Sequence, residues 1–278
     1  MTGPARRPTR QLLAPDVPDF DRRQLPPNVR DALAGLLLAM ADDEFVIGFW
    51  DSEWTGIAPL LEEDVAFSSL AQDEIGHARA WYEMLAVLAG ETADRLAFGR
   101  EPAQYRHARL LDHPRTDWAF SIARRWLYDT ADSVRLGALA RSAFEPLAEV
   151  VAKVRREERY HLMHVDVWLR RLAAHAGEPR QRLERALEVL APDALTVFTP
   201  LPGEWLLVES GVMSETNEQL AERWRAEVGG LLEELGLPAL PADRPPAGGR
   251  NGHADSESFS WLWGEFTAVH RLEEGVTW

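Results

Sequence analysis

The chain has 278 residues, of which 46% are hydrophobic, and its 45 acidic and 30 basic residues give a formal net charge of −15 at neutral pH. This charge argues against nucleic acid and anionic membrane surfaces as partners, because both carry negative charge themselves. The sequence contains no cysteine. Disulfides, iron–sulfur clusters and thiolate zinc sites are therefore excluded, and any metal must bind to carboxylates and imidazoles.

The first residues, MTGPARRPTR, are basic, but proline and charged residues follow before any apolar stretch typical of an export signal. The apolar runs further along are much shorter than the ~20 residues that a membrane-spanning helix needs. We therefore expect a cytoplasmic protein that does not enter a membrane.

Proline-rich residues 1–27 lack a sustained periodicity and are predicted to form an extended N-terminal arm. Apolar residues at three- and four-residue intervals then predict four long helices. These cover about 28–55, 60–89, 116–143 and 145–176. The predicted breaks are a turn at 56–59, a looser stretch containing Pro102 and Pro114, and a hinge at 144–146.

Two shorter helices are predicted at 179–192 and 215–235, the second with a capping box from Thr216 to Gln219. A linker rich in proline and glycine follows at 236–252, before an amphipathic C-terminal helix. No strand pattern is visible. The sequence predicts a single all-α domain over 28–278, in which two antiparallel helical hairpins form a four-helix bundle with additional C-terminal helices.

Two copies of a Glu-x-x-His motif lie on the second and fourth long helices. AQDEIGHARA at 71–80 contains Glu74 and His77, and REERYHLMH at 156–164 contains Glu158 and His161. Residues three apart share a helix face, so one metal ion can bind both side chains. Di-metal sites in helical bundles combine two such pairs with one acidic residue from each of the other two helices.

The spacing of acidic residues along the hairpins provides those two further ligands. Glu44 and Glu74 are centred on position 59, at the predicted turn, and Asp129 and Glu158 on a point between 143 and 144, beside the predicted hinge. Each of the four would lie ~22 Å from its turn at ~1.5 Å per residue. Asp132 is the alternative to Asp129. With the two histidines, this arrangement predicts a site for two iron or manganese ions.

Other interpretations of these residues remain open. A single Glu-x-x-His is expected by chance in an acidic chain, and Glu158 lies in a charge run of the kind that usually faces solvent. Glu157 is the alternative to Glu158. Asp42 and Asp43 could be the exposed members of their run, and Glu44 could pair with an arginine. The eleven tryptophans are more typical of core and interface packing than of a substrate site.

Several segments together resemble the C-subunit family of bacterial phenylacetyl-CoA epoxidase. They are SEWTGIAPLLEEDVAFSSLAQDEIGHAR, SIARRWLYDTADSVRL, EERYHL and the ending GGRNGHADSESFSWLWGEFTAVHRLEEGVTW. The resemblance implies a ferritin-like subunit of an oxygenase that converts phenylacetyl-CoA to its ring epoxide with O₂ and electrons from NADPH. It also implies a catalytic A subunit that contains the di-iron centre, and a C subunit that acts mainly as its structural partner.

Within that family the metal site of the C subunit is often degraded, whereas this sequence keeps candidate ligands on all four helices. An independent ferritin-like di-iron or di-manganese oxidase is therefore the alternative function. No glycine-rich strand-to-helix turn typical of a flavin or nicotinamide site is present, so a separate reductase is expected to supply the electrons.

Overall fold

The computed structural model describes residues 15–240, 249–251 and 253–272. In these ranges the chain is all-α, as predicted, and contains nine α-helices and no strand. The helices are α1 (Pro27–Ser52), α2 (Leu61–Ala89), α3 (Ala93–Phe98), α4 (Trp118–Leu139), α5 (Glu145–Ala174), α6 (Glu178–Ala194), α7 (Glu204–Glu209), α8 (Asn217–Glu234) and α9 (Glu257–Leu272). None of them, within these ranges, has an apolar stretch suited to crossing a bilayer.

Two helical hairpins form the centre of the molecule. The first pairs α1 with α2 and the second pairs α4 with α5, so that the four long predicted helices pack as a bundle. Helices α6 and α8 pack on α4, and α9 contacts α1 and α3. The short helices α3 and α7 are additions to the prediction, because one and a half turns are too few to give a visible periodicity.

The ends of the long helices follow local chemistry. Gly90 ends α2 in the left-handed conformation, with φ of 74°, which glycine adopts without steric strain. The predicted capping box opens α8, where Thr216 accepts from the Gln219 amide and the Gln219 side chain accepts from the Thr216 amide.

Helix α1 is buried on all sides along its C-terminal half. Its three consecutive acids, Asp42, Asp43 and Glu44, are all fully buried, so the expectation that the first two lie exposed is wrong. Successive residues point about 100° apart around a helix, and each acid meets a different neighbour. Asp42 pairs with Arg100, and Asp43 with Arg135. Glu44 faces the middle of the bundle.

Polar contacts of Arg250, His253 and Trp263 attach the C-terminal part of the chain to this core. Arg250 donates to both carboxylate oxygens of Asp43, at 2.8 and 2.9 Å. His253 and His107 stack with ring centroids 3.7 Å apart, and both lie within hydrogen-bond distance of Asp112. Residues 1–14 of the predicted arm, 241–248 and 252 of the predicted linker, and 273–278 lie outside the described residues.

Candidate metal centre

Side chains from all four bundle helices converge at one level inside the molecule. Glu44 comes from α1, Glu74 and His77 from α2, Asp129 from α4, and Glu158 and His161 from α5. All six are buried, with at most 4% of their surface exposed. The charge run around Glu158 is therefore not a wholly solvated face. This residue points inward while its neighbours on either side face solvent.

Four of the six form a compact group, which we call the inner cluster: Glu44, Glu74, His77 and Glu158. One ligand atom from each lies within 4.8 Å of the others. The Nδ1 atom of His77 is 3.2 Å from Glu158 Oε1 and 3.8 Å from Glu44 Oε2. Three carboxylates and one imidazole are hard ligands of the kind that iron and manganese bind.

Several polar atoms of the inner cluster lack a hydrogen-bond partner among the described residues. They are both oxygens of Glu44, Glu74 Oε2 and Glu158 Oε2, whereas Glu158 Oε1 has His77 Nδ1 at 3.2 Å and His161 Nδ1 at 3.1 Å. Buried polar atoms are nearly always paired, because losing water without a replacement partner costs about 1–3 kcal/mol each. A cation bound between these atoms would satisfy them together, which is the observation that supports a metal here.

The two histidines are oriented by carboxylates on their outer sides. His77 Nε2 lies 2.7 Å from Glu157 Oε2, and His161 Nε2 lies 3.2 Å from Asp73 Oδ2. Each Nδ1 atom is thereby left pointing at the centre. Metal-binding histidines typically donate their second N–H to a carboxylate in this way. The structure thus separates the two glutamates considered from sequence, with Glu158 facing the centre and Glu157 behind His77.

A buried arginine, Arg125 of α4, occupies the other half of the centre. Its guanidinium forms an ion pair with Glu74, a second with Asp51 at 2.6 Å, and a third with Asp129 at 3.2 Å. It also lies 3.2 Å from His161 Nδ1. Asp129 and His161, the residues expected to bind a second ion, thus face a guanidinium instead.

The alternative ligand on α4 is also paired with an arginine. Asp132 contacts Arg135 at 2.5 Å, and Arg135 reaches Asp43 at 2.7 Å. Asp129 and Asp132 share a helix face, and each has a cationic partner on its own helix. The role of Arg125 was not predicted from sequence, although this residue lies one turn before Asp129 on the same helix face.

The pKa values of the carboxylates show how the centre distributes its charge. Burial, with the neighbouring charge of Glu74, raises the pKa of Glu44 well above its usual value. Burial also raises the pKa of Asp129, despite Arg125. Burial would also raise the pKa of Glu74, but the Arg125 charge together with hydrogen bonds to Glu44 and His161 lowers it well below its usual value.

Both imidazoles favour the charged form although they are buried. Burial opposes a charged His77, but hydrogen bonds to Glu157 and Glu158 raise its pKa well above the usual value. The pKa of His161 is raised in the same way, chiefly by the charge of Glu158. Burial and Glu74 would raise the pKa of Glu158, yet the two imidazoles hold it at about 2. These shifts indicate that the centre favours added positive charge.

Comparison with known proteins places this geometry in a family. Residues 20–278 match the family described as "Phenylacetic acid catabolic protein". The chain belongs to this family. It is 29% identical over 247 residues to the C subunit of 1,2-phenylacetyl-CoA epoxidase from Escherichia coli (strain K12), and the aligned region covers 88% of this chain and 99% of the relative. It is also 25% identical over 248 residues to the A subunit of that epoxidase, covering 87% of this chain and 76% of the relative.

In this member of the family, the residues present fit a metal ion in one half of the centre. The inner cluster offers unpaired carboxylate oxygens and an oriented imidazole nitrogen. The other half does not fit a second ion, because the Arg125 guanidinium already contacts Glu74, Asp129 and His161. The Arg125 guanidinium thus occupies the space of the second ion expected from sequence, and only the packing of the side chains shows this.

Proposed function

We propose that this chain is the structural subunit of a cytoplasmic, multicomponent oxygenase that epoxidises the aromatic ring of phenylacetyl-CoA, and that it pairs there with a catalytic A-type subunit. The observation that carries the proposal is the extent of its similarity to the two epoxidase subunits. The match spans 99% of the C subunit but only 76% of the A subunit, with the higher identity to the former.

The metal centre favours a structural rather than a catalytic role. A di-metal oxygenase needs ligands for both ions, and here the Arg125 guanidinium fills the position beside Asp129 and His161. The same contact argues against the alternative of an independent di-iron or di-manganese oxidase. We therefore assign O₂ activation to the A-type subunit, whose electrons would come from a separate reductase.

The surface of α5 supports a partner protein. Tyr160, Met163 and Val167 are spaced by three and four residues, so they form a stripe on the outer face of the helix. Their exposed fractions are 61%, 59% and 61%. Large apolar side chains exposed in a row are typical of protein interaction sites. We propose that the A-type subunit covers this stripe.

Co-expression with an A-type epoxidase subunit tests the proposal. We expect the two chains to elute together from a size-exclusion column, and phenylacetyl-CoA to be consumed only when both are combined with the reductase. The chain alone should be inactive. If it oxidised substrate without the A-type subunit, the independent-oxidase alternative would be correct. If it never associated with that subunit, the structural role would be wrong.

A further inference from the structure

The buried carboxylates around the centre outnumber the buried guanidinium groups. Six buried carboxylates lie in or beside it: Glu44, Asp51, Glu74, Asp129, Asp132 and Glu158. Three buried guanidinium groups accompany them: Arg124, Arg125 and Arg135. The adjacent Asp43 is matched by Arg250. Three negative charges remain, before either imidazole is counted.

With all six carboxylates counted as ionised, the centre therefore needs further positive charge. Without Arg125 the remainder would be four negative charges. Buried charges need a partner close by, since the low dielectric of the interior makes an unpaired charge very costly. Arg125 therefore supplies one of the two positive charges that a second divalent ion would provide.

The contacts of Arg125 also place its positive charge where a second metal ion would bind. It reaches Glu74 and Asp129, which with His161 are the ligands that a second ion would use. Its third ion pair is to Asp51, which lies about two helical turns beyond Glu44 on α1. An arginine fixed by three carboxylates is fully buried and cannot swing out to solvent.

We propose that Arg125 takes the place of the second metal ion, and that the inner cluster binds a single divalent cation of the Mn²⁺ or Fe²⁺ type. The proposal rests on the proposed function, since a one-ion centre suits a subunit that stabilises the complex without activating O₂. The ion joins α1, α2 and α5 through the inner cluster, while Arg125 joins α4 to the same group. Together they hold both hairpins at one level.

Metal stoichiometry measured on the full-length chain tests the proposal. The protein would be dialysed against Mn²⁺, its bound manganese counted by mass spectrometry, and its electron paramagnetic resonance spectrum recorded. We expect one Mn²⁺ per chain with the spectrum of an isolated ion. Two ions per chain with an exchange-coupled spectrum, or no bound ion at all, would overturn the proposal.

The Arg125→Ala variant tests the replacement directly. Removing the guanidinium leaves Glu74 and Asp129 without their arginine partner, and it opens room beside Asp129. We expect this variant to bind two Mn²⁺ ions with an exchange-coupled spectrum, and its thermal midpoint to rise more on Mn²⁺ addition than that of the wild type. Binding of a single ion by the folded variant would show that Arg125 does not exclude the second.

Arg124→Ala is the matched control. Arg124 is the neighbouring buried arginine, but it contacts Asp51 at 3.5 Å and the His113 carbonyl at 2.6 Å, not the inner cluster. It should keep one ion per chain. If Arg125→Ala fails to fold, the wild-type count still decides the proposal. Association with the A-type subunit, measured on the same preparations, separates failure of the metal proposal from failure of the proposed function.

Discussion

Replacing Gly48 by alanine tests how closely α1 and α2 must approach beside the inner cluster. Gly48 lies one turn after Glu44, and a Cβ atom built on it would be 3.0 Å from Glu74 Cβ. It would also be 3.0 Å from Ile75 Cγ1 and 3.1 Å from the Ala71 carbonyl oxygen. The Ala71 oxygen and Glu74 Cβ are fixed by the α2 backbone, so rotation of a side chain cannot relieve these contacts. The two helices would have to separate by a few tenths of an ångström.

The size of the effect follows from a comparison within the same helix. Gly35 is also in α1, and a Cβ atom there would meet nothing within 4 Å. Gly35→Ala should therefore stabilise the protein by roughly 0.5–1 kcal/mol, because alanine loses less backbone entropy on folding. Gly48→Ala has the same gain but adds overpacking, which costs roughly 1–3 kcal/mol. We expect Gly48→Ala to be less stable than Gly35→Ala by about that overpacking cost.

Urea unfolding followed by circular dichroism measures this difference. Both variants would be compared with the wild type in metal-free buffer, and then with Mn²⁺ present. Separation of α1 from α2 also moves Glu74 away from Glu44, so Gly48→Ala should bind Mn²⁺ more weakly while Gly35→Ala should not. Equal stability of the two variants would show that α1 and α2 accommodate the added methyl group without cost, which would refute the expected overpacking.

Three further predictions concern charge and surface. Arg250→Ala should lower the free energy of unfolding, measured by urea denaturation, by about 3–5 kcal/mol, because it breaks a buried ion pair. A loss below about 1 kcal/mol would contradict this expectation. Despite burial, the charges of Arg250 and Arg135 hold the pKa of Asp43 below its usual value. Ionised Asp43 therefore stabilises the fold above about pH 4, and this contribution is lost on acidification. Arg250→Ala should lose less stability than the wild type during acid titration. Glu157→Gln should weaken Mn²⁺ binding about 10-fold or more in titration calorimetry, because the carboxylate behind an inner-cluster imidazole loses its charge. Met163→Glu should prevent co-elution with the A-type subunit, whereas Val189→Glu, at a 53% exposed position on α6, should not.

Much of the fold could be predicted because it depends on local patterns. Apolar spacing identified the long helices, and breaks such as Gly90 marked their ends to within a few residues. Equal distances from the two turns led to the expectation that Glu44, Asp129 and their partners meet at one level, and the structure brings them together there. Whether they bind metal stays a prediction.

The partners of the acidic residues could not be predicted in the same way. The spacing of Arg125 and Asp129 on one helix is visible in the sequence, but the contacts of Arg125 with Glu74 and Asp51 on other helices are not. A long arginine side chain can extend in several directions from the same helix position. Arg250 reaches Asp43 across 207 positions of the chain, a distance over which periodicity carries no information.

The sequence by itself determined the helices, their pairing into hairpins and the level of the acidic and histidine side chains, because these follow from the 3.6-residue repeat and from chain breaks. Only the tertiary structure decided which positive group lies beside each buried carboxylate. That choice depends on side chains from distant segments competing for the same space and charge in a medium where an unpaired ion is very unfavourable. In this protein Arg125 fills one half of the centre, and the inner cluster is left with the unpaired oxygens.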